Sequence, residues 1–347
     1  MKRKVFLFRV VMATLFSAYM MLLITPTKLT VSADSIVPQS KAECVMEMNS
    51  RRVLYQAHGD LRLPMASTTK IVTCITVLEL CKNLDEQITI PKQAVGIEGS
   101  SVYLKEGEVY SVRDLLYGLM LRSGNDCAVT LALYCSGSVA NFTAEMNKTA
   151  QRAGAIDSCF QNPHGLPCEN HYTTAYDLAL ITCYAMQNPT FQEIVATHNY
   201  NARHWKNKNK MLTVYNGANG VKTGYTREAG RCLVSSAKRE NLTLICVVLS
   251  SPMMYERSTL LLDDAFALYK NVCVLSENQA LVIDDKIKGV SRKNYYYPLL
   301  DEEIDLLEIK THSVGLEKEK GAKQEIVGKF EIYLSKRLLF FGNLYKL

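Results

Sequence analysis

The sequence predicts a mixed α/β protein, with one large unit of helices and strands followed by a small all-β unit from about residue 274. Three observations lead there. Apolar residues at 71, 74, 75, 78 and 81 recur at helical spacing and ask for a buried helix over 67–81. Two apolar runs, 232–237 and 242–250, flank a polar turn through Lys238, Arg239, Glu240 and Asn241, as paired strands do. Beyond 274, short alternating segments such as 280–283 and 304–309 are separated by charged turns, and 325–347 continues the pattern. At 347 residues, 48% hydrophobic and 21% charged, the chain can bury both cores.

The chain opens on a leader. Lys2, Arg3 and Lys4 form a positive start, residues 10–25 are apolar and uncharged, and Val31-Ser32-Ala33 offers the small residues of a cleavage site. Residues 1–33 therefore read as an export signal, or, if uncleaved, as a membrane anchor; either way the mature chain works outside the cytoplasm. The apolar run is short for a full span.

Strands are expected at 43–48 and 51–56 around an Asn49-Ser50 turn, then the helix from Ser67. Residues 114–120 and 128–134 read as helices with Ser123-Gly124-Asn125 in the loop between them. Further helices fall at 140–153 and 173–187. A glycine-containing turn at 216–219 leads to Val221-Lys222-Thr223-Gly224, the two apolar strands follow, and a helix over 256–269 closes the large unit. The expected boundaries are thus 1–33, 34–273 and 274–347.

Charge excludes one class of function. The formal charge is +6, but the leader's five cations come with no acid, which leaves +1 for the rest. A nucleic-acid-binding surface needs its cations on the folded part. Eleven cysteines are an odd count, so at least one is unpaired. Many sit in apolar runs, Cys74, Cys81 and Cys246 among them, and read as reduced core thiols. No Cys-x-x-Cys pair occurs, and the six histidines lack metal-ligand spacing, so no metal or other cofactor is expected.

Three short motifs carry the chemistry: Ser67-Thr68-Thr69-Lys70, Ser123-Gly124-Asn125 and Lys222-Thr223-Gly224. Each alone is weak, but their order and their placement at helix start, loop and strand make the trio specific. A Ser–Lys pair three apart at a helix start shares one face. A serine hydroxyl attacks once a base takes its proton, and a lysine becomes that base when burial and a second cation, here Lys222, destabilise its ammonium. Backbone N–H groups at the helix start can receive a developing oxyanion. Ser123 can relay a proton to a leaving amine, and Asn125 can hold a substrate amide. Lys222 and Thr223 on a strand edge suit a carboxylate, while Gly224 lets a peptide backbone approach and add as a strand.

These motifs, with Gly118–Asp126, Asn162-Pro163-His164-Gly165-Leu166, His171-Tyr172-Thr173-Thr174-Ala175 and Gly220–Thr226, resemble the low-molecular-mass D-alanyl-D-alanine carboxypeptidases over roughly residues 40–272. The resemblance implies a penicillin-binding, β-lactamase-like fold: a five-stranded antiparallel sheet flanked by helices, a helical lobe, and a small C-terminal β domain. It implies Ser67 as nucleophile, Lys70 as its base, Ser123 and Asn125 in the middle loop, and Lys222, Thr223 and Gly224 as the substrate strand. Tyr225 would give the second oxyanion N–H after Ser67's own. Arg257 stands where the family places an arginine that helps bind the terminal carboxylate. The implied partners are the peptidoglycan stem peptide and β-lactam antibiotics as inhibitors.

Two departures stand out. Asn219 occupies a position where many relatives carry aspartate, and Phe340-Phe341 lies in a strand-like stretch in place of the family's frequent C-terminal amphipathic anchor. Three rival readings share the site: a β-lactamase, for which the deacylating Glu-x-x-Leu-Asn loop is missing; a D,D-transpeptidase or endopeptidase; and a wall-binding module with a dead site, against which the intact Ser67 and Lys70 argue.

Overall fold

The computed structural model describes residues 39–284, 287–318 and 325–347. The leader expected over 1–33, with its cleavage site and any anchoring role, lies outside the described residues. Strand β1 (Ala42–Glu47) turns through residues held by the Glu47 carboxylate, which accepts from the Asn49 and Ser50 N–H groups, into β2 (Val53–Ala57). A 3₁₀ turn at Ala66–Thr69 then runs into α1 (Lys70–Leu80). The helix expected from Ser67 therefore starts three residues later, with Ser67 in the tighter turn.

A two-stranded ribbon, β3 (Gln87–Thr89) with β4 (Val109–Ser111), precedes α2 (Val112–Leu121), whose first turn is closed by a Ser111–Asp114 capping box. Helix α3 (Asn125–Ser136) begins at Asn125, a residue expected in the loop. Then come α4 (Val139–Ala153), α5 (Ala175–Ala185) and α6 (Pro189–Ala196). A short ribbon, β5 (Asn199–Tyr200) with β6 (Trp205–Lys206), and the single turn α7 (Met211–Val214) lead to the long strands β7 (Ala218–Thr226), β8 (Gly230–Arg239) and β9 (Leu242–Leu249), followed by α8 (Met254–Leu268).

The main sheet is antiparallel throughout, in the order β2-β1-β9-β8-β7. Alternate residues serve opposite faces. Cys44, Met46, Ile245, Val247 and Val234 join the core built with α1 to α6, whereas Val45, Leu244, Cys246, Val248 and Leu233 pack on α8. Strand β7 forms one edge, and the 3₁₀ turn carrying Ser67 lies against it.

The last part is mainly β, as expected, but Asp301–Leu306 forms a 3₁₀ helix, so the strand expected over 304–309 begins only at Leu307. Strand β10 (Lys270–Leu275) runs across the expected 273/274 boundary. After β11 (Ala280–Val282) and β12 (Lys288–Val290), β13 (Tyr295–Leu299) returns to pair with β10. Strands β14 (Leu307–Lys318), β15 (Glu325–Leu334) and β16 (Arg337–Lys346) complete a second sheet in the order β11-β12-β16-β15-β14. Its own core gathers Leu275, Tyr297, Phe330, Ile332 and Leu344. All eleven cysteines are unbonded, and six of them, at 44, 74, 127, 183, 232 and 246, are buried as small apolar side chains.

Candidate active site

The turn that presents Ser67 is held from three sides. Ala66 has φ +50, a left-handed value that a non-glycine residue adopts under constraint. Thr69 Oγ1 donates to the Ala66 carbonyl at 2.8 Å and lies 3.0 Å from His171 Nε2. His171 Nδ1 accepts from the Gln161 N–H, so its proton sits on Nε2 and is donated to Thr69. Burial brings the His171 pKa down to about 4, which keeps that ring neutral. On the second side, Gly165 (φ +91) lets the 162–166 loop reach the turn; a Cβ there would fall 2.0 Å from the Ala66 oxygen.

The third side is β7. A Cβ on Gly224 would stand 3.0 Å from the Met65 oxygen and 3.1 Å from the Ser67 nitrogen. The glycine of Lys-Thr-Gly is therefore what allows the edge strand to lie directly on the backbone at Ser67.

Lys70 is fully buried. Its Nζ lies 3.0 Å from Ser67 Oγ, 2.6 Å from Asn125 Oδ1 and 2.6 Å from the His164 carbonyl. Burial first, and then the Lys222 ammonium, push its proton affinity well below the ordinary lysine value. A neutral amine has two N–H donors and one lone pair. Asn125 Oδ1 and the His164 carbonyl can only accept, so they take both donors. The lone pair is left facing the Ser67 hydroxyl, which is what a general base needs.

Lys222 is also buried, and its Nζ donates to the Thr223 carbonyl at 3.0 Å. Burial, helped by Lys208, lowers its pKa to about 7. Ser123 is buried at φ +64 between α2 and α3, two residues before Asn125. A non-glycine residue keeps that left-handed conformation only where its surroundings hold it. Tyr225, next after Gly224 on β7, keeps its side chain 65% exposed at the sheet's edge.

One expected residue is elsewhere. Arg257, on α8, is buried on the opposite face of the sheet, where Nε and Nη2 donate to the Glu43 carboxylate at 2.8 Å each. The expectation that it binds a substrate carboxylate is corrected: Glu43 stands on β1, three strands from β7, about 14 Å across the sheet. Two contributors escape motif reading. The His164 carbonyl is a backbone atom with no side-chain signature, although the Asn-Pro-His-Gly-Leu stretch marks its loop. The 98–104 segment meets Asn125 through the carbonyls of Glu98 and Ser100.

The chain is similar to known proteins over most of its length. The D-alanyl-D-alanine carboxypeptidase family matches residues 27–253, well over half of the chain. D-alanyl-D-alanine carboxypeptidase DacF of Bacillus subtilis is 32% identical over 284 residues, covering 78% of this chain and 72% of its own length. The D-alanyl-D-alanine carboxypeptidase of Streptomyces sp. strain K15 is 37% identical over 249 residues, covering 64% and 86% respectively. Among solved structures, penicillin binding protein 5 from Haemophilus influenzae superposes with a TM-score of 0.73 at 26% identity, covering 93% of this chain and 98% of that one. A point mutant of the Streptomyces K15 DD-transpeptidase gives 0.63 at 35% identity, covering 66% and 98%. The fold is thus the penicillin-binding one, with a five-stranded antiparallel sheet and a C-terminal β region, and the chain belongs to the D-alanyl-D-alanine carboxypeptidase family.

Proposed function

We propose that this chain is a serine-type D-alanyl-D-alanine carboxypeptidase that removes the terminal D-alanine from peptidoglycan stem peptides through an acyl-enzyme on Ser67. The observation that carries the reading is the buried Lys70 amine, 3.0 Å from Ser67 Oγ with both of its N–H donors claimed by other acceptors.

The steps follow from the residues. Lys70 takes the hydroxyl proton as Ser67 Oγ bonds to the carbonyl carbon of the penultimate D-alanine. The Ser67 and Tyr225 N–H groups receive the oxyanion. The tetrahedral adduct collapses, the C–N bond breaks, and the leaving amine takes a proton through Ser123. Water then attacks the ester and restores Ser67. Lys222 and Thr223 receive the terminal carboxylate, Asn125 holds the substrate amide as well as the base, and β7 supplies an edge for the peptide to pair with. A β-lactam presents the same acyl-D-alanyl geometry in a ring, so its leaving group stays attached and the enzyme is blocked.

Residues 1–33 serve as the leader or anchor, 34–273 as the catalytic domain and 274–347 as the β domain, with the enzyme acting at the cell wall outside the cytoplasm. The separate apolar cores of the last two parts support that division.

A transpeptidase reading has its own support, since a structural relative at 35% identity is named a DD-transpeptidase. Incubation with a pentapeptide stem decides between them: loss of one D-alanine is expected, and a joined dimer would favour transfer. Purified protein should also gain the mass of one penicilloyl group, and Ser67→Ala should gain none. A folded wild-type protein that forms no adduct would end the proposal.

A further inference from the structure

We infer that Asp126 is a positioning residue for the base, acting on Lys70 through Asn125 and the 98–104 segment. The inference rests on the reading of Lys70 as the general base.

Asp126 follows Asn125 in the first turn of α3 and is buried. Its carboxylate is used almost entirely to anchor one stretch of chain. Oδ2 accepts from the Ser101 hydroxyl, from the Val102 N–H at 3.1 Å and from the Leu104 N–H at 3.0 Å. Oδ1 accepts from its helix neighbour, the Cys127 N–H, at 3.0 Å. The segment held in this way turns back onto Asn125: the Ser100 carbonyl accepts from the Asn125 N–H at 2.7 Å, and the Glu98 carbonyl accepts from Asn125 Nδ2. Gly99 (φ +88) makes the return possible, because a Cβ there would stand 2.9 Å from Asn125 Nδ2.

A primary amide such as that of Asn125 can rotate to exchange its oxygen and nitrogen, and only one orientation accepts from Lys70. With the Glu98 carbonyl holding Nδ2, Oδ1 is fixed 2.6 Å from Lys70 Nζ. If the segment were released, the amide could turn its N–H toward the base and compete for the lone pair that Ser67 needs.

Asp126 has a second effect, separable from the first. Around Lys70 stand Ser67 and its turn, Asn125, Cys127 and Asp126 on α3, the His164 loop with its neutral ring, Lys222 on β7, and Lys208. Asp126 is the anion of that set. Its field favours the ammonium, against burial and the two lysines. Removal of the charge therefore makes Lys70 give up its proton at lower pH.

Two substitutions separate anchoring from charge, with acylation by a fluorescent penicillin followed across pH alongside the melting temperature. Ser101→Ala removes one anchor and keeps the charge: the rate should fall about threefold to tenfold while the acidic limb of the profile stays in place. Asp126→Asn offers an amide where several N–H groups need an acceptor. Its plateau should fall by about tenfold to a hundredfold, and the acidic limb should move to lower pH. Asp126→Glu, which keeps the charge, should return the limb toward its wild-type position. A wild-type rate in Ser101→Ala overturns the inference, as does a wild-type plateau in folded Asp126→Asn. Loss of acylation in the wild type itself would strike the proposed function instead.

Discussion

Replacing Arg257 with methionine should unfold this protein more easily and leave its chemistry alone. The Glu43 and Arg257 side chains are 0% and 3% exposed, joined by two hydrogen bonds of 2.8 Å, with the Tyr55 hydroxyl 3.2 Å from Arg257 Nη2. Removing one member of a buried pair leaves the other charge uncompensated, at a cost of about 3–5 kcal/mol. For a chain of this size that is a fall of about 10 °C in the melting temperature. Acylation by penicillin, measured per folded molecule well below that temperature, should stay within about twofold, because the pair lies about 14 Å across the sheet from β7.

The pH dependence gives the same variant a second signature. Burial alone would raise the Glu43 pKa, but hydrogen bonds from Arg257 and Ser40 outweigh it and hold the carboxyl below its ordinary value. In the wild type the pair's stabilisation is present above the ordinary carboxylate range and is lost as pH falls through the depressed pKa. Without Arg257, burial has no opponent of that strength, and the folded state prefers the neutral acid. Acidification from pH 7 toward 5 should then narrow the gap between variant and wild type. A double variant, Glu43→Leu with Arg257→Met, should recover most of the lost stability, since an apolar pair can replace a buried ionic one. A tenfold loss of acylation with an unchanged melting temperature would refute this reasoning and return Arg257 to the substrate.

The edge strand and the two lysines give further expectations. Gly224→Ala places a methyl 3.0–3.1 Å from the Met65 oxygen and the Ser67 and Thr68 nitrogens, so acylation should fall about tenfold or more with a shift of only a few degrees in melting temperature. Lys222 must be charged to hold a carboxylate, and with a pKa of about 7 it loses that charge as pH rises; kcat/KM for the pentapeptide should decline above neutrality, and Lys222→Arg should push that limb upward. Cys81 and Cys135, at the far ends of α1 and α3, bring their sulfurs within 3.1 Å. Oxidised glutathione should join them, forming one disulfide and releasing two reduced glutathiones, with a mass about 2 Da lower. The closed loop should stabilise the fold by up to about 4 kcal/mol, which reductant or Cys81→Ser abolishes.

What the sequence makes legible is decided over short distances. Ser67 and Lys70 lie three residues apart on a tight turn, so their meeting follows from helix geometry. The apolar runs of β8 and β9 announce themselves because both faces of that sheet are covered. Helix α6 has a start signal, Asn188 before Pro189, with Asn188 Oδ1 accepting from the Thr190 and Phe191 N–H groups, but its eight residues are too few for periodicity to stand out. Arg257 shows where such reading stops. Its distance along the chain from Lys222 says nothing about which face of the sheet it serves. Parity along β1 answers that: Glu43 and Val45 face α8, and Cys44 and Met46 face the helices that carry the site. With Arg257 on the α8 side, the cations that belong to the cleft come from β7 and from the segment before it, Lys222 and Lys208. Both lie close enough to lower the proton affinity of Lys70. On the proposed mechanism, the charge that receives the substrate carboxylate is also the charge that keeps the base neutral, so binding the carboxylate should raise the Lys70 proton affinity at the moment Ser67 needs it to accept a proton.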